Sequence, residues 1–182
     1  DWYIHAYRFA VLTGLRPGEL LGLRWSDVTD ERITIRRSYN DDGELTSGKN
    51  ENAHRTLALQ GLAQQELEAQ RDMLRRNAIV SPYIFPSPES EVTAQKRYRN
   101  SWKRYCRYHR LSDTTPYELR HTYVSLNDEM PDGLKKKALG HSKSMDTEGV
   151  YGHIKAGDLC QRRNGDQPSD EAAAEKQSPY GG

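Results

Sequence analysis

Apolar and aromatic side chains recur at helical spacing through the first dozen residues. This pattern predicts a helix that runs to about Leu12, and Gly14 just beyond it is a typical helix stop. The sequence Arg-Pro-Gly-Glu follows at residues 16–19, with Pro17 suited to the first turn of a second, short helix. The N-terminal region is therefore predicted to form two consecutive helices.

A different spacing begins near residue 31. Residues 32–36 alternate basic and β-branched side chains in the order Arg-Ile-Thr-Ile-Arg, which is typical of a half-buried strand. The turn sequence Asn-Asp-Asp-Gly follows at residues 40–43, and residues 55–59 have the character of another strand. We therefore expect a small antiparallel sheet over residues 31–60, with a loop around Lys49.

Helical spacing returns after Gly61 and dominates the rest of the chain. Residues 115–118, Thr-Pro-Tyr-Glu, predict a capping box: the Thr caps, the Pro fits the first helical position and the Glu reaches back to a free backbone amide. The predicted helices span about residues 62–76, 93–110, 115–130, 132–139 and 145–151. Beyond residue 164 the chain is polar and has no apolar periodicity, which predicts disorder.

Together these patterns predict a mainly α fold with a small antiparallel β-sheet. We expect one domain over residues 1–160 and a disordered C-terminal tail over residues 161–182. The chain begins inside the first predicted helix and has no initiator Met, so we expect a fragment of a longer protein. No apolar run approaches the roughly 20 residues that a bilayer-spanning helix needs, so no membrane contact is expected.

The charge distribution adds a candidate binding surface. The formal net charge is only +1, but residues 95–110 hold seven basic side chains and no acidic one. Tyr98, Trp102, Tyr105 and His109 recur at helical spacing in the same segment, which predicts a core-facing stripe with an outward basic face. Charge runs are usually solvated, yet cations without an anion favour the phosphates of double-stranded DNA. The candidate DNA-binding residues are Lys96, Arg97, Arg99, Lys103, Arg104 and Arg107.

Several common chemistries have no support in the sequence. The motifs GxxxxGK[ST], HExxH and GxSxG are absent, which argues against ATP hydrolysis, zinc proteolysis and α/β-hydrolase chemistry. Cys106 and Cys160 are far apart and form no CxxC pair, so neither a zinc site nor a disulfide framework is indicated. We expect no metal, no cofactor and a reducing, cytoplasmic setting.

Three short segments carry the candidate chemistry. The first is residues 13–27, which contain Thr-Gly-Leu-Arg-Pro-Gly-Glu-Leu and Leu-Arg-Trp-Ser-Asp; the second is Glu-Leu-Arg-His-Thr at 118–122. The third is Leu-Gly-His-Ser at 139–142, with Tyr151 ten residues after the histidine. In this order the segments resemble the boxes of the tyrosine recombinase family, particularly the integrases of temperate phages and conjugative transposons. The resemblance covers residues 1 to about 155.

The resemblance implies a role for each candidate. Arg16 and Arg120 grip the non-bridging oxygens of the scissile phosphate, and His141 adds a hydrogen bond to it. Lys49 protonates the leaving 5′ oxygen, and Tyr151 is the nucleophile that forms a 3′-phosphotyrosyl bond. The family uses neither metal nor ATP. The resemblance also implies a homotetramer on paired DNA sites and a bacterial nucleoid setting. It further implies a separate N-terminal core-binding domain, which this chain is expected to lack.

These residue types suit the chemistry on physical grounds. Guanidinium forks match the geometry of phosphate oxygens with paired, charge-assisted hydrogen bonds. A preorganised donor of this kind is worth roughly 3–4 kcal/mol in comparable sites. A tyrosine phenol has an ordinary pKa of about 10, so nearby cations must favour the phenolate during attack. We therefore expect a site-specific DNA recombinase that cuts and rejoins strands.

One position departs from the family pattern. The family usually has His three residues before the second arginine, and Tyr117 stands there in this chain. We expect Tyr117 and Arg120 to share a helical face and to point at one phosphate, with His121 facing elsewhere. A Tyr hydroxyl donates a hydrogen bond but does not readily accept a proton near neutral pH. Two alternatives stay open: a DNA-binding module with weakened cleavage, and a type IB topoisomerase-like enzyme that relaxes DNA alone.

Overall fold

The computed structural model describes residues 1–46, 54–59 and 61–140. Lys49, His141, Tyr151, the last predicted helix and the predicted tail lie outside these residues. The described elements are α1 (Ile4–Thr13), α2 (Pro17–Leu21), the 3₁₀ turn Trp25–Asp27, β1 (Arg32–Ile35), β2 (Ser38–Tyr39), β3 (Leu45–Thr46), β4 (Arg55–Ala58), α3 (Gly61–Arg76), α4 (Gln95–Tyr108), α5 (Glu118–Leu126) and α6 (Asp132–Leu139). The predicted fold class, mainly α with a small antiparallel sheet, is confirmed.

Helix α1 ends where the sequence predicts. Gly14 has a left-handed φ of 65°, and its N–H donates to the carbonyl of Ala10 at 2.9 Å. A Cβ at this position would lie 2.5 Å from the Tyr123 ring of α5. Glycine is therefore required both for the backbone conformation and for the close approach of α5 to the end of α1.

The sheet forms as two separate ladders. Strand β1 pairs antiparallel with β4, with Ile35 opposite Arg55, and β2 pairs antiparallel with β3. Between the ladders Arg37 turns its guanidinium onto the buried carboxylate of Asp27, 2.5 Å from Oδ2. The antiparallel strands expected over residues 31–60 are therefore present, and in the described part of this region they form two two-stranded sheets rather than one.

The main core lies where α1 packs against α3 and α4. Tyr98 and Trp102 of α4 are buried, and their rings lie 5.3 and 4.8 Å from the ring of Tyr7. Tyr105 is partly buried and stacks on Trp102. His109 is exposed, 4.4 Å from the ring of Tyr105, because the helix has ended one residue earlier. The predicted core-facing stripe is thus confirmed for its first members and reaches the surface at its end.

The predicted capping box at residues 115–118 is wrong. Helix α5 begins at Glu118, and Tyr117 occupies the N-cap without a side-chain capping bond. The N–H groups of Glu118 and Leu119 instead donate to the carbonyls of Thr115 and Pro116, at 3.0 and 3.3 Å. A turn of backbone hydrogen bonds therefore satisfies the amides that the Thr and Glu side chains were expected to satisfy.

Helix α6 follows α5 and ends as predicted. Pro131 is its N-cap, and Gly140 ends it with a left-handed φ of 63°. Leu139 at its last turn is fully buried against Tyr123 and Val124 of α5, which forms a small second core. Among the described residues, no helix combines the length and the apolar character that crossing a bilayer demands.

Candidate active site

Arg16 stands at the start of α2, two residues after the glycine that ends α1. Its backbone N–H donates to Oε2 of Glu19 at 3.0 Å, and its Nη1 donates to Oε1 of the same residue at 3.0 Å. An acidic residue at the third helical position thus fixes the entry of the chain into α2. About a third of the Arg16 side chain (34%) remains exposed. The local sequence therefore delivers a restrained guanidinium to the surface.

Glu19 is a buried carboxylate held by two arginines. Only 4% of the residue is exposed, and Nη1 and Nη2 of Arg55 donate to its two oxygens, each at 2.9 Å. Burial acts to raise the pKa of Glu19, but the hydrogen bonds and positive charge of Arg55, together with those of Arg16, outweigh burial and lower it. Glu19 is therefore ionised at neutral pH.

Arg120 joins two of the sequence segments from inside the protein. Its residue exposure is 0%, and its Nη1 donates to the carbonyl of Gly14 at 2.6 Å while its Nη2 donates to the carbonyl of Leu139 at 2.7 Å. Gly14 precedes Arg16 by two residues, and Leu139 precedes His141 by two. The structure therefore places Arg120 as a buried link between these segments. Its predicted contact with a phosphate stays a prediction.

A cleft of about 360 Å³ opens beside α2. Its walls come from the start of α2, strand β2, the first turn of α4 and the turn before α5, and they include Arg16, Arg99 and Tyr117. A Cβ at Gly18 would overlap the main-chain oxygen of Tyr39, so glycine allows α2 to lie directly against β2 and form one wall. The cleft brings together two of the predicted catalytic residues and one of the predicted DNA-binding residues.

Tyr117 is the only aromatic side chain at the cleft, among the described residues, that is largely exposed, at 39%. Arg120 is fully buried, so the two residues do not present the same surface although one helical turn separates them. The ring of Tyr117 packs edge-on against the ring of His121, with centroids 5.3 Å apart. His121 therefore contacts Tyr117, since residues four apart meet at the start of α5, but it does not line the cleft. The expectation that His121 faces away from the phosphate stays a prediction.

The candidate DNA-binding residues of α4 divide into paired and unpaired cations. Arg99 donates to both carboxylate oxygens of Asp41, at 3.0 and 3.2 Å, and Arg97 binds the carboxylate of Glu89. No ion pair joins Lys96, Lys103, Arg104 or Arg107 to any other described residue. The helix itself holds no acidic residue, as the sequence shows, but neighbouring loops supply two.

One set of these cations forms a continuous face. Lys96, Arg99, Lys103 and Arg107 follow one another at intervals of three and four residues, so they share a side of the helix, which we call the α4 basic face. Arg97 and Arg104, seven residues apart, lie on another side. Arg99 also lines the cleft. The α4 basic face therefore runs directly into the cleft that holds Arg16.

Lys49, His141 and Tyr151 lie outside the described residues. The described chain resumes five residues after Lys49 and ends one residue before His141, and two arginines bind near these points. Arg55, which begins β4 six residues after Lys49, donates its Nε–H to the carbonyl of Ala138 at 2.8 Å. Arg120 binds the next carbonyl of the same helix end. The chain leading to His141 is thus tied to α2 and β4.

The described residues offer no cluster of three or more His, Cys, Asp or Glu side chains with the geometry of a metal site. Cys106 is buried in the core, away from the cleft. The polar groups at the cleft are two guanidinium groups, two phenols, two aliphatic hydroxyls and an amide. This set suits an anion, since guanidinium and hydroxyl groups donate hydrogen bonds to phosphate oxygens.

Sequence reasoning missed Glu19 and Arg55 as members of the site. Glu19 carries a local indication, because an acidic residue three positions after the residue that starts a helix is typical of a backbone cap. Arg55 carries none: it lies 36 residues from Glu19 and appears in the sequence only as the first residue of a predicted strand. Its contact depends on the folded arrangement of β4 against α2.

A comparison of the sequence with protein families identifies a matching family. The sequence profile of the Phage integrase family matches residues 2–157. The chain belongs to the phage integrase family. The matched range includes the described segments that Arg16, Glu19, Arg55 and Arg120 hold together.

Two curated relatives are similar over most of this integrase-family chain. The ICEBs1 integrase of Bacillus subtilis (strain 168) is 28% identical over 162 residues, which cover 81% of this chain and 44% of the relative. A protein called "Tyrosine recombinase XerC-like", from Caldanaerobacter subterraneus subsp. tengcongensis, is 24% identical over 170 residues, which cover 78% and 43%. The chain thus spans less than half the length of the curated relatives it matches.

A solved structure shares the fold. The Tn1549 transposon integrase, solved in complex with circular intermediate DNA, superposes with a TM-score of 0.71 at 18% identity, covering 88% of this chain and 58% of that one. The predicted fold, that of a tyrosine recombinase catalytic domain, is confirmed.

Proposed function

We propose that this chain is the catalytic domain of a site-specific DNA recombinase that cuts and rejoins strands through Tyr151. The observation that carries the proposal is the cleft, where Arg16 is held at the surface by a buried carboxylate and meets the α4 basic face through Arg99. Membership of the phage integrase family supports it. The curated relatives carry integrase and recombinase names, and the Tn1549 integrase was solved with DNA.

In the proposed reaction one phosphodiester is exchanged for another. Tyr151 loses its phenolic proton to the surrounding water and its oxygen attacks the scissile phosphorus. The bond to the 5′ oxygen breaks, and the 3′ oxygen stays on the phosphorus as a 3′-phosphotyrosyl ester. Lys49 gives its proton to the departing 5′ oxygen. The reverse attack by a 5′ hydroxyl of another strand releases Tyr151 and restores the DNA backbone. The bond energy is conserved in the ester, so no nucleotide has to be hydrolysed.

The arginines stabilise the charge on the non-bridging oxygens during both steps. Arg16 donates directly from the cleft, and His141 adds a hydrogen bond. Arg120 contributes its positive charge from the buried side, where electrostatic interactions are stronger than in water. Tyr117 takes the place of the family's histidine as a hydrogen-bond donor at the cleft surface, where the residue is 39% exposed.

Double-stranded DNA is the proposed partner, bound along the α4 basic face. Arg97 and Arg99 have carboxylate partners, so they must exchange Glu89 and Asp41 for phosphates to contribute. Lys96, Lys103, Arg104 and Arg107 need no such exchange. Recombining two duplexes requires four strand cleavages, and each chain offers one nucleophile, so the proposal includes a homotetramer on paired DNA sites in the bacterial cytoplasm.

The experiment is capture of the covalent intermediate. The full-length protein is incubated with nicked duplexes whose flanking sequence is randomised, so that the target need not be known, and then run on a denaturing gel. We expect a protein–DNA band from the wild type, none from Tyr151→Phe, and DNA affinity within about threefold for the two proteins, because a phenol adds one contact among many. The band should persist in excess chelator.

Each other outcome identifies a different function. DNA binding without a covalent band indicates a binding module of the same fold. Relaxation of a supercoiled plasmid that carries no paired sites indicates a topoisomerase-like enzyme. Loss of the band on chelation, with recovery in a divalent cation, contradicts the proposal that arginines alone neutralise the phosphate.

A further inference from the structure

Arg55 is a well-bonded guanidinium that the proposed reaction does not use. Its side chain is 7% exposed, its two terminal nitrogens donate to Glu19 at 2.9 Å, and its Nε donates to the carbonyl of Ala138 at 2.8 Å. It therefore joins β4, α2 and α6 through one planar group. A buried ion pair with both partners this well bonded is specific in geometry, since each donor has one acceptor.

Glu19 creates an electrostatic problem for Arg16. The two side chains are 3.0 Å apart, and a lone carboxylate at that distance cancels much of the positive charge that a phosphate needs. Arg55 binds both oxygens of the same carboxylate. The three groups together carry a formal charge of +1, and the exposed member is Arg16.

We propose that Arg55 is a positioning residue that neutralises Glu19 and so leaves the charge of Arg16 available to the scissile phosphate. Arg55 acts through Glu19 and has no contact with the cleft, since Glu19 and Ala138 take its three bonds. Without Arg55 the Glu19 charge is balanced by Arg16 alone, so less of the Arg16 charge is available to a phosphate in the cleft. The expected effect on cleavage rests on the proposed function. The electrostatic effect of Arg55 on Arg16 is a property of the folded chain.

The chain contains a matched control. Asp27 is buried, accepts the backbone N–H of Arg24 three residues before it at 2.9 Å, and binds Arg37 at 2.5 Å. This is a similar arrangement of a capping carboxylate and a guanidinium from the sheet region, with the exposed Arg36 also 3.5 Å from the Asp27 carboxylate. The Arg24 side chain turns away to Tyr83, and neither Arg24 nor Arg37 lines the cleft. Arg37→Met therefore removes a comparable ion pair without touching Arg16.

The first test measures single-turnover formation of the covalent adduct at saturating DNA, where the rate constant does not depend on the fraction of active protein. We expect Arg55→Met to slow this step by about 100-fold, comparable to the loss of one preorganised donor. Arg55→Lys keeps the charge and should lose about 10-fold or less. Arg37→Met should stay within about twofold of the wild type.

A double variant distinguishes the effect of charge on the cleavage rate from an effect on folding. Removing Arg55 leaves a buried, unpaired carboxylate that destabilises the protein, so Glu19→Gln in the same chain restores folding and also removes the charge that offsets Arg16. We expect the double variant to recover at least about tenfold in rate over Arg55→Met. Equal slowing by Arg55→Met and Arg37→Met, or a double variant no faster than Arg55→Met, overturns the inference.

A second measurement does not depend on cleavage. Inorganic phosphate is titrated into the ¹⁵N-arginine-labelled full-length protein, and the Arg16 side-chain resonance reports binding. We expect Arg55→Met to weaken phosphate binding at Arg16 by about 10-fold, with recovery in the double variant. Unchanged binding overturns the inference. If the wild type forms no adduct but this pattern holds, the recombinase function fails while the role of Arg55 stands.

Discussion

The Glu19 cluster (Arg16, Glu19 and Arg55) and the Asp27 cluster (Arg24, Asp27 and Arg37) are built on the same local plan. In each, a buried carboxylate accepts the backbone N–H of an arginine three residues earlier, at 3.0 and 2.9 Å, and binds a second arginine from the strand region. The two carboxylates are eight residues apart, Glu19 in α2 and Asp27 in the 3₁₀ turn that follows it. The plan itself is therefore a structural device that ends one segment and starts the next.

The two clusters differ in where the first arginine sends its side chain. Arg16 bonds back to Glu19 and lines the cleft, whereas Arg24 bonds to the hydroxyl of Tyr83 at 2.7 Å and lies 4.8 Å from that ring's centroid. An identical backbone arrangement thus serves a candidate reaction in one place and packing in the other. What distinguishes the two sites is the group that the arginine side chain contacts, and the local sequence does not encode that contact.

The largest expected effect is the loss of Arg16. Arg16→Met should slow adduct formation by about 100- to 1000-fold, since it removes a direct donor to the phosphate. Arg24→Met should leave the rate unchanged and lower the free energy of unfolding by about 1–3 kcal/mol, since a buried phenol loses its charged partner. Single-turnover rates and urea unfolding of both variants check this. Equal slowing by the two variants would mean that the clusters do not differ in function.

Tyr117 and Tyr83 give the next comparison, as the phenols associated with the two regions. Tyr117→Phe removes a donor to a charged group, which costs about 1.5–3 kcal/mol and should slow cleavage by about 10- to 150-fold. Tyr83→Phe removes a hydroxyl that bonds Tyr39 at 2.6 Å and Arg24 at 2.7 Å, and should affect only the unfolding free energy. Tyr117→His should cleave at least as fast as the wild type. A Tyr117→Phe variant that cleaves at the normal rate excludes Tyr117 from the chemistry.

The smallest effect concerns the α4 basic face. Neutralising Lys103 and Arg107 together should make the slope of log K for DNA binding against log salt concentration shallower by about 1.8, or about 0.9 per lost phosphate contact. The change should be the same for all DNA sequences. Neutralising Arg97, which already binds Glu89 and lies on another side of the helix, should change the slope by less than about half of one contact. Affinities measured across a salt series check this. An unchanged slope for Lys103 and Arg107 places that face in solvent.

Features encoded by neighbouring residues were predictable from the sequence. Gly14 and Gly140 end their helices as expected, and the aromatic spacing of α4 located its buried side at Tyr98 and Trp102. The start of α5 was not predictable from Thr115, because a backbone turn competes with a side-chain cap at equal spacing. Local rules give candidates for a helix start and cannot choose between them without the packing of the neighbouring chain.

Contacts between residues that are distant in the sequence could not be predicted from it. Arg120 binds carbonyls 106 and 19 residues away, and Arg55 binds Glu19 across 36 residues. A backbone carbonyl has no sequence signature, so the burial of Arg120 had no indication beforehand. The pairing of Arg99 with Asp41 was hidden for the same reason, since the acid lies 58 residues away in a loop. The roles of Lys49, His141 and Tyr151 stay predictions.

The most direct test of the account is to identify the tyrosine that carries DNA in the covalent adduct. Tyr83 is the informative rival: burial acts to raise its pKa, but hydrogen bonds with Tyr39 and Arg24 and the Arg24 charge outweigh burial and lower it. Its hydroxyl is nevertheless buried and occupied. Protease digestion of the denatured adduct and mass spectrometry locate the nucleotide-bearing peptide. The account predicts the peptide that contains Tyr151, and a nucleotide on Tyr83 or Tyr117 would contradict it.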